Sequence, residues 1–313
     1  MAKLEPYVPG YYLWNYMPSI PAAVIFIILF LGVTVFHFFK LFRSRSWFSI
    51  PLAIGGIFEV IGYIARVVAH EHTAELVPYS IQSVLILLAP VLFAASVYMV
   101  LGRIIRSVNA EQHSLVPVRW LTKLFVTSDV VSFLVQGSGA GLMAMESMGT
   151  LAKIIIIVGL VIQVIMFGFF IVASIVFYLC MRQRPTREAL DKSQTPWKYH
   201  MHTLFAVSVL IMIRSIYRVI EYAMGNNGYL LSNEWPLYVF DTVLMWLVMV
   251  IWAVRYPENI QKGKPEMELI ATQDAEHPVQ DVHELRAVGG GVFRGLEEGI
   301  EGTSVPGCVY VRV

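Results

Sequence analysis

Apolar residues fall in seven long runs, near 18–39, 47–68, 78–101, 119–144, 151–180, 200–224 and 236–254. A hydrocarbon core about 30 Å thick is crossed by about 20 helical residues rising about 1.5 Å each, and the runs match that length. A soluble amphipathic helix would place polar residues every three or four positions. The run from Ile154 to Leu179 instead has Gln163 and Ser174 as its only strongly polar side chains. The pattern predicts an all-α polytopic membrane protein with seven transmembrane helices.

The connections between the runs give the orientation. Lys40, Arg43 and Arg45 follow the first run, Arg103, Arg106, Arg119 and Lys123 flank the third connection, and Arg182, Arg184, Arg187, Lys192 and Lys198 the fifth. The second connection, His70 to Val77, and the sixth, Gly225 to Trp235, hold no Lys or Arg, and the fourth holds only Lys153. Short loops rich in Lys and Arg stay cytoplasmic. The expected topology therefore has the N-terminus outside and the C-terminus cytosolic: an external segment 1–17, a seven-helix domain 18–256, and a cytosolic tail 257–313. The tail has few large apolar residues and a Gly289-Gly290-Gly291 run, so it is expected to be disordered. A hydrophobic content of 57% and a mean hydropathy of +0.65 agree with the membrane class.

Tyr11, Tyr12, Trp14, Tyr16, Trp235 and Tyr238 sit at the external ends of runs, and Trp47, Trp120, Trp197 and Tyr256 at the internal ends. They read as headgroup anchors. The first seventeen residues lack the basic and apolar regions of a signal peptide. Cys180, at the inner end of the fifth run, and Cys308, in the tail, face a reducing compartment, so no disulfide is expected.

Seven ionisable residues lie within runs: Glu59, Arg66, Asp129, Arg214, Arg218, Glu221 and Asp241. Each costs a few kcal/mol at membrane depth by insertion scales, which makes it a functional candidate. Three are cationic and four anionic, so near-complete pairing is possible. Counted along the helices, Arg66, Arg214, Arg218, Glu221, Asp241, Gln82 and Gln136 fall in the outer half, with Glu59, Asp129 and Gln163 near the midplane. Glu59, Tyr63 and Arg66 share one helix face, as do Arg214, Arg218 and Glu221, with Tyr217 beside them. Arg214 and Arg218 repel each other, and Asp241 lies at the right depth to compensate; Arg218 and Asp241 are expected to pair. Buried ion pairs also fix helix register with no further role, but so many groups at one depth point to a polar cavity.

Three smaller features have structural readings. Gly137-Ser138-Gly139-Ala140-Gly141 follows no strand, so it reads as a site of close helix approach or a soft helix end and not as a phosphate loop. Pro90 is expected to kink its helix. His70 and His72, with Glu71 and Glu75, read as a solvated loop, not a metal site. Neither a nucleotide-binding Gly-x-x-x-x-Gly-Lys-Ser/Thr motif nor His-Glu-x-x-His occurs. No His/Asp set shares a depth, and no nucleophile–base pair stands out. The chain is expected to be no enzyme, to need no cofactor or metal and to bind no nucleic acid; the sequence names no protein partner.

The stretch Phe58-Glu59-Val60-Ile61-Gly62-Tyr63-Ile64-Ala65-Arg66 resembles a signature of the fungal lipid-translocating exporter family, also called RTA-like. Further similarities continue in order: Gln82 with Leu87-Leu88-Ala89-Pro90, Ala94 to Met99, Leu101-Gly102-Arg103, Asp129 to Phe133 with Gln136, Arg214 to Glu221, and Tyr238-Val239-Phe240-Asp241. The resemblance covers roughly residues 10–262. It implies seven spans, an external N-terminus and residence in fungal membranes, mostly the plasma membrane. It also implies movement of sphingoid long-chain bases, sterol-analogue and drug resistance and, in one branch, porphyrin handling.

Together these features predict a translocator or exporter of lipids or amphiphilic small molecules. Glu59, Asp129 and Asp241 would meet an amine, and Arg66, Arg214 and Arg218 would keep them ionised or bind a phosphate. A receptor-like sensor shares the same topology and is the alternative.

Overall fold

The computed structural model describes residues 14, 16–71, 73, 75–143, 149–186, 189, 197–224 and 233–256. Most of these residues are helical, with no strand among them. Seven long helices follow one another: α1 (Ile20–Ser44), α2 (Ile50–Glu71), α3 (Leu76–Ser107), α4 (Val118–Met143), α5 (Gly149–Gln183), α6 (Trp197–Met224) and α7 (Trp235–Val254). Each corresponds to one apolar run of the sequence. The tail after 256, the 225–232 segment and His72 lie outside the described residues.

Local chemistry sets several ends. Pro21 sits in the first turn of α1, where its missing N–H costs nothing. Arg45 ends α1 in the left-handed region, with φ 49°. Pro90 lies inside α3, which nonetheless continues to Ser107. α7 opens with a single α turn (Trp235–Leu237), widens into a π-helical turn over Tyr238–Val243, and then resumes as an α-helix.

Every helix packs on the next, and α7 returns to α1, so the bundle closes into a ring. α3 also reaches across to α6. It is the helix most enclosed by its neighbours, and it supplies a large share of the core, including Ile86, Phe93, Val97, Tyr98 and Leu101. Glycines permit the closest approaches. A Cβ on Gly139 of α4 would sit 2.9 Å from the Ala152 carbonyl of α5, and one on Gly62 of α2 would sit 2.8 Å from Ile86. Within the glycine-rich stretch of α4, Gly139 is thus a point of close helix approach.

Large apolar side chains cover the outside. Ile28, Leu31, Val35, Phe42, Leu134, Ile165 and Val172 are all well exposed. A soluble monomer rarely presents apolar surface on this scale, and a bilayer accommodates it. Six helices are long and apolar enough to cross a membrane. α4, with Arg119, Lys123 and Asp129, is as long but less apolar. Its polar Asp129, Ser132 and Gln136 are buried, while Val130, Val131 and Leu134 face outward. The chain is an all-α, multi-pass membrane protein.

Two expectations change. Trp47, Trp120 and Trp235 are exposed as anchors should be, but Trp14 and Trp197 are buried. Trp14 packs edge-on against Tyr79, with ring centroids 5.3 Å apart, a favoured aromatic geometry that buries the ring against protein. Cys180 is disulfide-bonded, against the expectation of a free thiol. At 3% exposure it is shielded from the thiol pool on which the compartment argument relied.

Candidate functional site

α2, α6 and α7 bring most of the intramembrane charges together. Asp241 is the hub. One carboxylate oxygen pairs with Nη2 of Arg218 and the other with Nε of Arg214. Arg218 reaches a second carboxylate, Glu221, at 2.9 Å on its own helix. Glu221 also accepts from the Tyr217 hydroxyl at 3.5 Å. The repulsion between Arg214 and Arg218 is thus relieved by one shared anion. The expected Arg218–Asp241 pair forms, with Arg214 as an additional partner.

The π turn makes this possible. Asp241 and Thr242 are consecutive, yet each is only 1% exposed. In a regular α-helix adjacent side chains diverge by about 100°; the wider turn aims both inward. Asp241 then meets α6, while Thr242 meets the Tyr63 hydroxyl of α2 at 2.5 Å. No sequence pattern marks the widened turn.

Arg66 takes a different partner from those available inside the runs. Its Nη2 pairs with Glu234 at 2.6 Å and donates to the Tyr16 hydroxyl at 3.0 Å. Its Nε donates to the Tyr238 hydroxyl at 3.3 Å. Trp14, Tyr16 and Tyr238 surround the guanidinium with ring centroids 5.5–5.6 Å away. Glu234 also accepts from the backbone N–H of Ser19 at 2.9 Å, tying α7 to the start of α1. Sequence reasoning missed Glu234 because it stands outside the apolar runs, in the connection before α7. The available signal was its place in the first turn before α7, within reach of the end of α2. At this same end the Nδ1 of His70 donates to the Pro18 carbonyl at 2.7 Å; no metal-ligand group occurs among the described residues.

Glu59 is 1% exposed, and one of its carboxylate oxygens has no hydrogen-bond partner. It shares the electrostatic field of Asp241, Arg214 and Arg218, but no ion pair joins it to them among the described residues. Pairing of the buried charges is therefore incomplete here. Both arginines are already occupied by Asp241 and Glu221, and the guanidinium of Arg66 is turned toward Glu234.

Asp129 stands apart from the hub. Its partner is the Tyr98 hydroxyl at 2.8 Å, and its other oxygen is unpartnered. Phe125 and Phe170 pack on the Tyr98 ring, with centroids 5.3 and 4.6 Å away. One helical stretch further along, Gln136 donates to Gln163 of α5 at 3.1 Å. Gln82 is buried, with its carbonyl oxygen unpartnered. The polar groups therefore form a hub on α2, α6 and α7 and a second set on α3, α4 and α5. The hub is closed to water, with Arg214 at 2% and Asp241 at 1% exposure. Charges that reach each other offset their desolvation better than charges facing a void.

Comparison with known proteins follows the same residues. The family model described as RTA1 like protein matches residues 52–264, from the start of α2 beyond the end of α7. The yeast (Saccharomyces cerevisiae) Protein RTM1 is 42% identical over 69% of this chain and 70% of its own length. Protoporphyrin uptake protein 1 of the same yeast is 34% identical over 78% of this chain and 92% of its own. A yeast sphingoid long-chain base transporter, RSB1, is 28% identical over 79% and 74%. No solved structure matches. With more than half of its length matched, hub residues included, this chain belongs to the RTA1-like family.

Proposed function

We propose that this protein moves an amphiphile with a cationic headgroup across the bilayer, with seven spans, the N-terminus outside and the C-terminus in the cytosol, in the plasma membrane. It acts as a transporter and not as an enzyme. The observation that carries this reading is the uneven pairing of the buried charges. All three intramembrane arginines are engaged by Asp241, Glu221 or Glu234. Glu59 and Asp129 each keep a buried oxygen without a partner. A buried carboxylate with no counter-ion is costly unless a proton or a cation accompanies it. These carboxylates therefore suit an ammonium and not a phosphate. The headgroup binds at Glu59, beside the Asp241 hub, while its hydrocarbon chain stays in lipid.

The yeast relative named as a sphingoid long-chain base transporter supports this choice, because a sphingoid base carries an amine on a long chain. The relative named for protoporphyrin uptake argues for breadth among amphiphiles across the family. The test is leaflet transfer in liposomes holding the full chain. A fluorescent long-chain base on the inner leaflet should reach the outer leaflet faster than in empty liposomes, and Glu59→Gln should abolish the gain. Transfer no faster than in empty liposomes overturns the transport reading; if the protein still binds the base, the sensor alternative gains.

A further inference from the structure

Among the six apolar spans, α1 is the least enclosed by protein. It packs on α2 and, across the closure of the ring, on α7. Its polar and ring contacts with α7 fall at three levels. At the Glu234 end, the Ser19 N–H donates to the Glu234 carboxylate at 2.9 Å. Further in, the Phe26 ring lies flat on Tyr238, with centroids 5.3 Å apart and 10° between the planes. Nearer the basic end, His37 Nε2 donates to the Met249 carbonyl at 3.0 Å. The tightest approach of the three helices is at this last level, where a Cβ on Gly56 of α2 would sit 2.6 Å from Met249 and against the Thr34 hydroxyl. α1 is thus pinned near Thr34 and His37 and held more lightly at Ser19 and Phe26.

Tyr63 of α2 fills the lightly held part of the seam from inside. Its ring stacks with Phe30 of α1 at 5.8 Å and with Tyr238 of α7 at 6.4 Å. Glu59 is one turn further along the same face of α2, buried and with one oxygen unpartnered. Stacked rings therefore stand between this carboxylate and the edge of the bundle.

The π turn of α7 touches every part of this closure. Tyr238, its first residue, lies on Phe26; Asp241 holds Arg214 and Arg218; Thr242 meets the Tyr63 hydroxyl. A π turn holds an extra residue and recurs at functional sites. Its passage to α geometry would turn one side of α7 against the other by about 100°. That rotation cannot keep Tyr238 on Phe26 and Asp241 on its arginines together. Arg66, through Glu234, fixes the end of α7 next to the turn.

We propose that the α1–α7 seam is the lateral door through which the headgroup passes between Glu59 and the leaflet at the Glu234 end, with the Arg66–Glu234–Ser19 contacts as its latch. The proposal rests on the transport reading given above. An amphiphile whose hydrocarbon chain stays in lipid needs a gap between two helices and not an aqueous pore. The outer half of α1 swings about its contacts at Gly56 and Met249, and the Phe26–Tyr238 stack parts.

The tests use the full chain in liposomes and a fluorescent long-chain base. In the variant carrying Phe26→Cys and Tyr238→Cys, bridging the two thiols with a short bis-methanethiosulfonate should slow leaflet transfer about tenfold or more relative to the unbridged variant. The same reagent should leave the parent chain unchanged. A bridge between Tyr178→Cys and Phe205→Cys, whose native rings meet 5.7 Å apart across α5 and α6, should also leave transfer unchanged. A base with a photoactivated diazirine on its chain gives a second readout that needs no cysteine variant. Adducts suppressed by excess unlabelled base should fall on Phe26, Phe30 and Tyr238. Glu234→Ala should raise their yield about threefold, the population shift that accompanies loss of a hydrogen bond. Undiminished transfer across a bridged α1–α7 seam, equal slowing by the α5–α6 bridge, or competed adducts on another seam would overturn the door. Competed adducts on this seam with no transfer by the parent chain would overturn the transport reading and leave the seam as the ligand's entrance.

Discussion

Arg214 on α6 donates to the carbonyl oxygen of Ile86 on α3 at 3.0 Å. In an unbroken α-helix that oxygen would accept from the N–H four residues on, and the residue there is Pro90, which has none. The intramembrane proline thus creates an acceptor, and the intramembrane arginine fills it. The same guanidinium pairs with Asp241, so the missing backbone hydrogen bond in α3 is linked to the charged hub. Arg214→Met should destabilise the protein by about 1–3 kcal/mol, since one Asp241 oxygen and the Ile86 carbonyl both lose their donor while Arg218 keeps Asp241 paired. In a Pro90→Ala background that cost should fall by about 1 kcal/mol, because the alanine supplies the missing N–H. A double-mutant cycle on unfolding midpoints measures the coupling, and additive costs would disprove the link.

Asp241 serves two arginines, so charge exchange at one of them should fail. Arg218→Asp combined with Asp241→Arg places the new arginine against Arg214. Surface expression of this double variant should be no better than that of Asp241→Ala alone. Asp241→Asn should be milder than Asp241→Ala, because the amide still accepts a hydrogen bond. Normal expression of the exchanged pair would mean that the Arg214 contact contributes little.

Glu234 ties Arg66 to the start of α1. Glu234→Ala should free the Ser19 N–H and leave Arg66 with hydroxyl partners only. The expected outcome is faster amide exchange at residues 16–22, and a loss of stability of about 1–3 kcal/mol. Unchanged exchange at those amides would show that the tie has no energetic role.

Two neighbouring glycines of α4 should respond oppositely. A Cβ on Gly137 would meet nothing within 4 Å, whereas one on Gly139 meets the Ala152 backbone. Gly137→Ala should be neutral or slightly stabilising by helix propensity. Gly139→Val should cost about 1–3 kcal/mol by forcing α4 and α5 apart. Thermal unfolding of both variants, with equal midpoints as the disproving result, checks the contact.

Topology is testable without knowing the substrate. Tags at the N-terminus and in 225–232 should be reached by antibody on intact cells, and tags in 187–196 and after 256 should not, following the Lys and Arg asymmetry. Reversed labelling at any site would overturn the seven-span orientation.

The length and apolarity of the runs were enough to place all seven helices, because a spanning helix is dictated by the bilayer and not by its neighbours. Charge cost alone singled out Glu59, Arg66, Asp129, Arg214, Arg218, Glu221 and Asp241. Helix rise and spacing were also enough to pair Arg218 with Asp241. What the tertiary structure decided is the distribution of partners. Asp241 bridges two arginines because a π turn rotates it and Thr242 inward together. Arg66 turns outward to Glu234, a loop residue whose position depends on where α1, α2 and α7 meet. Asp129 pairs with Tyr98 and stays outside the hub. Depth along a helix can be read from one chain segment, but which side chains face each other depends on rotation and crossing of several helices, and those are set by packing.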